Sequence, residues 1–156
     1  MSQVHHFLKL SNGIKGESRD RNHMDELELE SWGWGENQET LGDAGRLDFC
    51  DFSFTTPVNE ASPRLLRACA NGELIEAAQL ACCLSGDREP QEFLTVRFAN
   101  CLIRSIQTRG SAGAIPLDQI SLSYGTVQYE YRPMRPNGSL GTAIPFGWNL
   151  MENRQI

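Results

Sequence analysis

The chain has 156 residues, 40% of them hydrophobic and 22% charged, and its 20 acidic and 14 basic side chains leave a formal charge of −6. A chain of this length can form one globular domain, residues 1–156, burying about 70% of the surface its unfolded form exposes. The negative charge and scattered cations argue against a nucleic-acid partner. The opening MSQVHHFLKL and the lack of any long apolar run point to a soluble, cytoplasmically made chain with no signal peptide and no membrane insertion.

Strand candidates follow one another along most of the chain. Leu27 and Leu29 alternate with Glu26, Glu28 and Glu30, the pattern of a half-buried strand with a solvated acidic face. The apolar register then moves to Trp32 and Trp34 across Ser31, so both rings are expected to leave the face of the leucines, with Gly33 and Gly35 giving them room. The stretch ENQETLGDAGR, Glu36 to Arg46, lacks alternation and reads as an exposed excursion long enough to carry function. Leu47 and Phe49 change phase to Cys50, Phe52 and Phe54, as a bulge would make them do.

A helix over about residues 63–71 is marked at both ends. Ser62 is the expected N-cap, Pro63 suits the first helical position, and Gly72 after Asn71 is a left-handed stop. Leu65, Leu66, Cys69 and Ala70 form its expected apolar stripe, with Arg64 and Arg67 on the outside. Alternation resumes at Ala78, Leu80, Cys82 and Leu84, at Leu94, Val96 and Phe98, and at Ile120, Leu122 and Tyr124. The last run changes phase across Gly125 to Val127, Tyr129 and Tyr131, and a glycine-rich loop, Thr108 to Leu117, separates two of the runs. Strands with such phase changes suit a small closed or nearly closed β-barrel with one short helix outside it.

Reactive groups are sparse. The five cysteines (Cys50, Cys69, Cys82, Cys83 and Cys101) contain no CxxC pair, and an odd number fits reduced, mostly buried thiols. Neighbouring Cys82 and Cys83 point to opposite faces of a strand, which disfavours a bond between them. His5 and His6 lie near the N-terminus and His23 in a charged loop, so all three read as surface histidines, with no metal or cofactor motif and no catalytic site. A base-stacking barrel would need a positive groove, which an acidic chain does not supply.

FLKLSNGIKGESRDRNHMDELELESWGWG closely resembles the N-terminal signature of the hemolysin-coregulated protein (Hcp) family, the tube subunits of type VI secretion. The likeness continues through LDFCDFSFTTPVNEASPRLLRACANGE, ISLSYGTVQYEYRP and PFGWNLMEN, from about Phe7 to Asn149. The resemblance implies a mainly β chain: a small β-barrel of two packed antiparallel sheets with one flanking α-helix, assembling into a homohexameric ring. Such rings stack into a tube expelled by a contractile sheath, so self, sheath and spike proteins and effector cargo are the implied partners, and the chain would be secreted without a signal peptide. On this reading Trp32, Trp34 and Trp148 are structural. The excursion residues Glu36, Asn37, Gln38, Glu39, Thr40 and Leu41 contact a neighbouring ring or subunit, and Arg109 and Ser111 lie on the channel side. The excursion, ENQETLGDAGRL, is shorter and poorer in glycine than is usual in the family, which bears on ring stacking. The alternative within the same barrel is an exported monomeric binding or effector protein.

Overall fold

A computed structural model of the chain describes residues 3–39, 46–86 and 89–156. The strands in chain order are β1 Gln3–Leu10, β2 Leu27–Glu28, β3 Ser31–Gly33, β4 Glu36–Glu39, β5 Arg46–Phe49 and β6 Phe52–Pro57. After the helix α1, Ser62–Asn71, come β7 Ile75–Ser85, β8 Gln91–Arg109, β9 Leu117–Ser123, β10 Thr126–Tyr131, β11 Ile144–Asn149 and β12 Arg154–Gln155.

All strand pairs are antiparallel. One layer runs β12-β11-β10-β8-β7-β1-β2, and the other runs β3-β6-β9-β8. The long strand β8 belongs to both: its residues up to Cys101 pair with β7 and β10, and Leu102 to Arg109 pair with β9. Asn100 sits at the changeover with φ 57°, a left-handed conformation that bends the strand from one layer into the other. On the opposite side the two layers meet along residues 27–33. The Leu29 amide donates to the His6 carbonyl at 2.9 Å, and the next amide, Glu30, donates to the Thr55 carbonyl at 2.8 Å. The ladder is interrupted there, so the barrel is not closed by a continuous sheet.

Between the layers lies the core. Phe52, Phe54, Leu80, Val96, Phe98, Ile120, Leu122 and Val127 are all at or below 2% exposure, confirming the alternation read in those runs. Phe98 is its aromatic centre, with ring centroids 4.8 Å from Phe52 and 4.7 Å from Tyr124. Aromatic pairs at these separations add stabilisation beyond the apolar area they bury.

Several details differ from the sequence reading. The phase changes at Cys50 and Gly125 are not bulges within one strand but links between strands: Cys50–Asp51 separates β5 from β6, and Tyr124–Gly125 separates β9 from β10. True register shifts occur instead at Cys82/Cys83 against β8 and at Ile103/Ser105 against β9. Part of the Glu36–Arg46 excursion is regular, because β4 pairs with β5 from Glu36↔Phe49 to Glu39↔Arg46. Trp32 and Trp34, off the face of the leucines, are half-buried and pack against the core, since the chain has moved to the other layer when it reaches them.

The helix begins one residue earlier than expected and uses a different cap. Ala61 is the N-cap without a side-chain bond, while the Asn59 side chain accepts from the Ala61 amide at 2.8 Å. The Ser62 hydroxyl points inward and donates to buried Asp118 at 2.7 Å. Gly72 ends the helix at φ 64°, as predicted. The buried stripe is Leu65 and Ala68 with Cys69 at its edge, whereas Leu66 is 52% exposed and Ala70 is also outside.

Candidate functional site: strand edges, tryptophan anchors and two inward histidines

Where β3 ends, two tryptophans use their indole nitrogens as well as their rings. Trp34 donates from Nε1 to the Tyr124 hydroxyl, which in turn donates to the Cys50 carbonyl at 2.8 Å. Its ring stacks on Tyr129, with centroids 6.0 Å apart, and meets Phe98 edge-on at 6.1 Å. Trp32 donates from Nε1 to His6 Nδ1 at 3.1 Å and packs beside Phe52. An indole N–H can only donate, so His6 Nδ1 is unprotonated and the neutral ring carries its hydrogen on Nε2. Burial, reinforced by neighbouring His5, lowers the His6 pKa in keeping with that state. Trp32, Trp34, Gly35, Tyr129 and Phe146 line an open apolar hollow of about 450 Å³. Trp148, on β11, packs beside Phe49.

Two of the three histidines expected at the surface are drawn inward, His23 buried and His6 half-buried. His6 Nδ1 also lies 3.2 Å from the Sγ of Cys82. His23 is 8% exposed, its ring stacked on Phe7 with centroids 4.4 Å apart and planes 5° from parallel. It donates from Nδ1 to Glu26 Oε1 at 2.9 Å, and its Nε2 lies 3.2 Å from Cys83 Sγ and 3.9 Å from Glu92 Oε1. Glu26 therefore leaves the solvated face on which Glu28 and Glu30 remain. Burial raises the Glu26 pKa, an effect that His23 and Lys9 oppose and Glu92 reinforces.

Cys82 and Cys83 do face opposite ways. Cys82 joins the main core, and Cys83 joins Phe7 and Ala81 in a small outer cluster. Burial pushes the Cys82 thiol up to about 11 and the Cys83 thiol up to about 12, so neither is a ready nucleophile. No short spacing joins His23 to Cys83 and Glu92 along the chain, so the sequence carries no motif that marks them.

The remaining predicted positions fall in separate parts of the chain. Glu36, Asn37, Gln38 and Glu39 form β4, while Thr40 and Leu41 lie outside the described residues. Arg109 ends β8 and Ser111 lies in the following turn, both exposed. Among the described residues the outer edges of the first layer are incompletely covered: β12 pairs with β11 at Trp148 and Asn149, with the Ile156 amide donating to the Gly147 carbonyl, and β2 pairs with β1 at Phe7 and Leu8, with the Leu29 amide donating to the His6 carbonyl. Near those edges Val4, Ile144 and Ile156 are 47%, 58% and 47% exposed.

Residues 7–131 match the family model described as type VI secretion system effector, Hcp. The chain belongs to the Hcp family. The protein hcp1 of Pseudomonas aeruginosa is 31% identical over 157 residues, an alignment covering 96% of each chain. The crystal structure of Hcp1 from Salmonella typhimurium aligns with a TM-score of 0.82 at 29% identity, over 98% of this chain and 99% of that one. A solved type six secretion system protein aligns at 0.89 with 26% identity, over 99% and 100%. This Hcp chain is thus a type VI secretion protein with the expected mainly β fold. No helix among its described residues is long and apolar enough to cross a membrane.

Proposed function

We propose that this Hcp protein acts as a structural subunit of the secretion tube, with six copies closing into a ring and rings stacking into a channel that holds effector cargo. The observation that carries this reading is the pair of uncovered edges on β1 and β11. No described strand pairs with the outer edge of β1 beside exposed Val4 or with the outer edge of β11 beside exposed Ile144; an open strand edge invites pairing with another chain, and a closed ring of identical copies covers it without open-ended growth. In the same reading Glu36 to Leu41 contacts a neighbouring ring, Arg109 and Ser111 face the channel, and sheath and spike proteins are the other partners. The protein is made in the cytoplasm and leaves through the machine, performing no catalysis of its own.

Light scattering after size exclusion tests the proposal. A mass near six times the 17.5 kDa of one chain, with rings in negative stain, supports it. Placing charge on both edges, Val4→Lys with Ile144→Lys, should then shift the protein to smaller species without unfolding it. A wild-type monomer at high concentration overturns the ring and favours an exported monomeric binding protein on the same barrel.

A further inference from the structure

We propose that His23, Cys83 and Glu92 form a binding site for one zinc-like divalent cation, which pins the loop between β1 and β2 to the outer face of the first layer. The three donor atoms, His23 Nε2, Cys83 Sγ and a Glu92 carboxylate oxygen, lie within 4.8 Å of one another. A tetrahedral zinc with bonds of about 2.0–2.3 Å needs donors separated by about 3.3–3.7 Å. The sulfur-to-nitrogen distance of 3.2 Å and the nitrogen-to-oxygen distance of 3.9 Å are each within a few tenths of an ångström of that range. One sulfur, one imidazole and one carboxylate suit zinc or cobalt better than calcium or magnesium, which prefer oxygen alone.

The surroundings are organised for a cation as well. Glu26 holds His23 through Nδ1, the carboxylate–histidine arrangement that fixes an imidazole with its Nε2 lone pair facing a metal. The site owes its assembly to the register shift between β7 and β8. Cys82 pairs with Leu94 and Cys83 with Glu92, so Phe93 is skipped and Glu92 comes beside the outward-facing thiol. After burial, the pressures raising the Cys83 pKa include the negative charges of Glu92, Asp20 and Glu26, and Lys9 is the cationic side chain acting on Glu26. A dication relieves that concentration of negative charge. On binding, the Cys83 thiol releases one proton to solvent and becomes thiolate, His23 binds as the neutral imidazole, Glu92 binds as carboxylate, and water completes the tetrahedron.

The test is a cobalt titration of the full-length protein, reduced and freed of metal with a chelator. One equivalent should produce a thiolate-to-cobalt charge-transfer band and a tetrahedral visible spectrum, both removed by excess zinc. Cys83→Ser should abolish the band, whereas Cys50→Ser and Cys69→Ser should retain it. Glu26→Gln should weaken cobalt binding by about 10- to 100-fold with the band still reached at saturation. Circular dichroism establishes that each variant is folded. If Cys83→Ser does not fold, His23→Gln replaces it and must lower cobalt affinity at least as much as Glu26→Gln. The proposal is overturned by reduced wild-type protein that shows no band, by a band that survives Cys83→Ser, or by affinity unaffected by His23→Gln.

Discussion

Replacing Tyr124 by Phe removes one oxygen and leaves the ring, which is 7% exposed, in its place against Phe98. That oxygen accepts from Trp34 Nε1 and donates to the Cys50 carbonyl, so it ties the end of β3, the β5–β6 link and the β9–β10 link together. Without it the carbonyl and the indole N–H both lose a partner. An unmade bond of this kind costs about 1–3 kcal/mol when the remaining group stays buried. Trp34 is half-buried and Cys50 is exposed, so water recovers part of the loss and the expected cost is about 1–2 kcal/mol. For a chain of this size that lowers Tm by about 2–8 °C. Thermal and urea denaturation followed by tryptophan fluorescence measure it, at several protein concentrations because self-association would raise apparent stability. A cycle with Trp34→Phe isolates the link: the double variant should be less destabilised than the sum of the single ones by at least about 0.5 kcal/mol. A Tm unchanged within 1 °C, or strict additivity in the cycle, would refute the view that this hydroxyl fastens the corner.

Gly16→Ala should destabilise by about 1–3 kcal/mol, because its Cβ would lie 2.6 Å from the Glu26 carbonyl oxygen and 2.9 Å from Leu27 Cδ2. Gly33→Ala, with nothing within 4 Å of its Cβ, should keep the wild-type Tm in the same melt. Phe98→Ala, at the aromatic centre and 2% exposed, should cost about 3–5 kcal/mol in urea unfolding, and a loss under 1 kcal/mol would contradict its central placement. His6 has a lowered folded pKa, so its contribution is fully present above the unfolded value of 6.5 and is lost as pH falls through the folded value. Stability should therefore decline below about pH 6.5, and His6→Gln should flatten that part of the pH profile.

Much of the fold was legible because its signals are local. The run Ile120, Leu122, Tyr124 shows its buried face in period two, and Pro63 with Gly72 brackets the helix within a residue. What was not legible depends on partners far away in sequence. Leu66 looked like a core residue from its helical spacing, yet α1 rests on Leu65 and Ala68, a choice made by the strands beneath it. His6 and His23 looked like surface residues because a histidine carries no sign of its burial; Trp32, Cys82, Phe7 and Cys83 supply it from elsewhere. By spacing alone the Glu26 carboxylate is one tooth of an acidic comb, and only the turn carrying His23 removes it from that row.

The change of phase at Gly125 and the placement of the tryptophans share a single cause. A two-layer sheet can keep one continuous core only if the chain crosses between layers, and each crossing resets which side of a strand faces inward. At residues 27–33 the reset falls between Leu29 and Trp32, with Glu30 and Ser31 both outside. Leu27 and Leu29 therefore enter the core from one layer and Trp32 and Trp34 from the other. A similar reset lies at Tyr124–Gly125, where the Gly125 amide donates to the Ala99 carbonyl beside the bend at Asn100. Trp34 joins these two corners through the Tyr124 hydroxyl. Large aromatic residues at a corner fill the wedge between diverging layers, and an indole N–H reaches a partner across it that an aliphatic side chain could not engage.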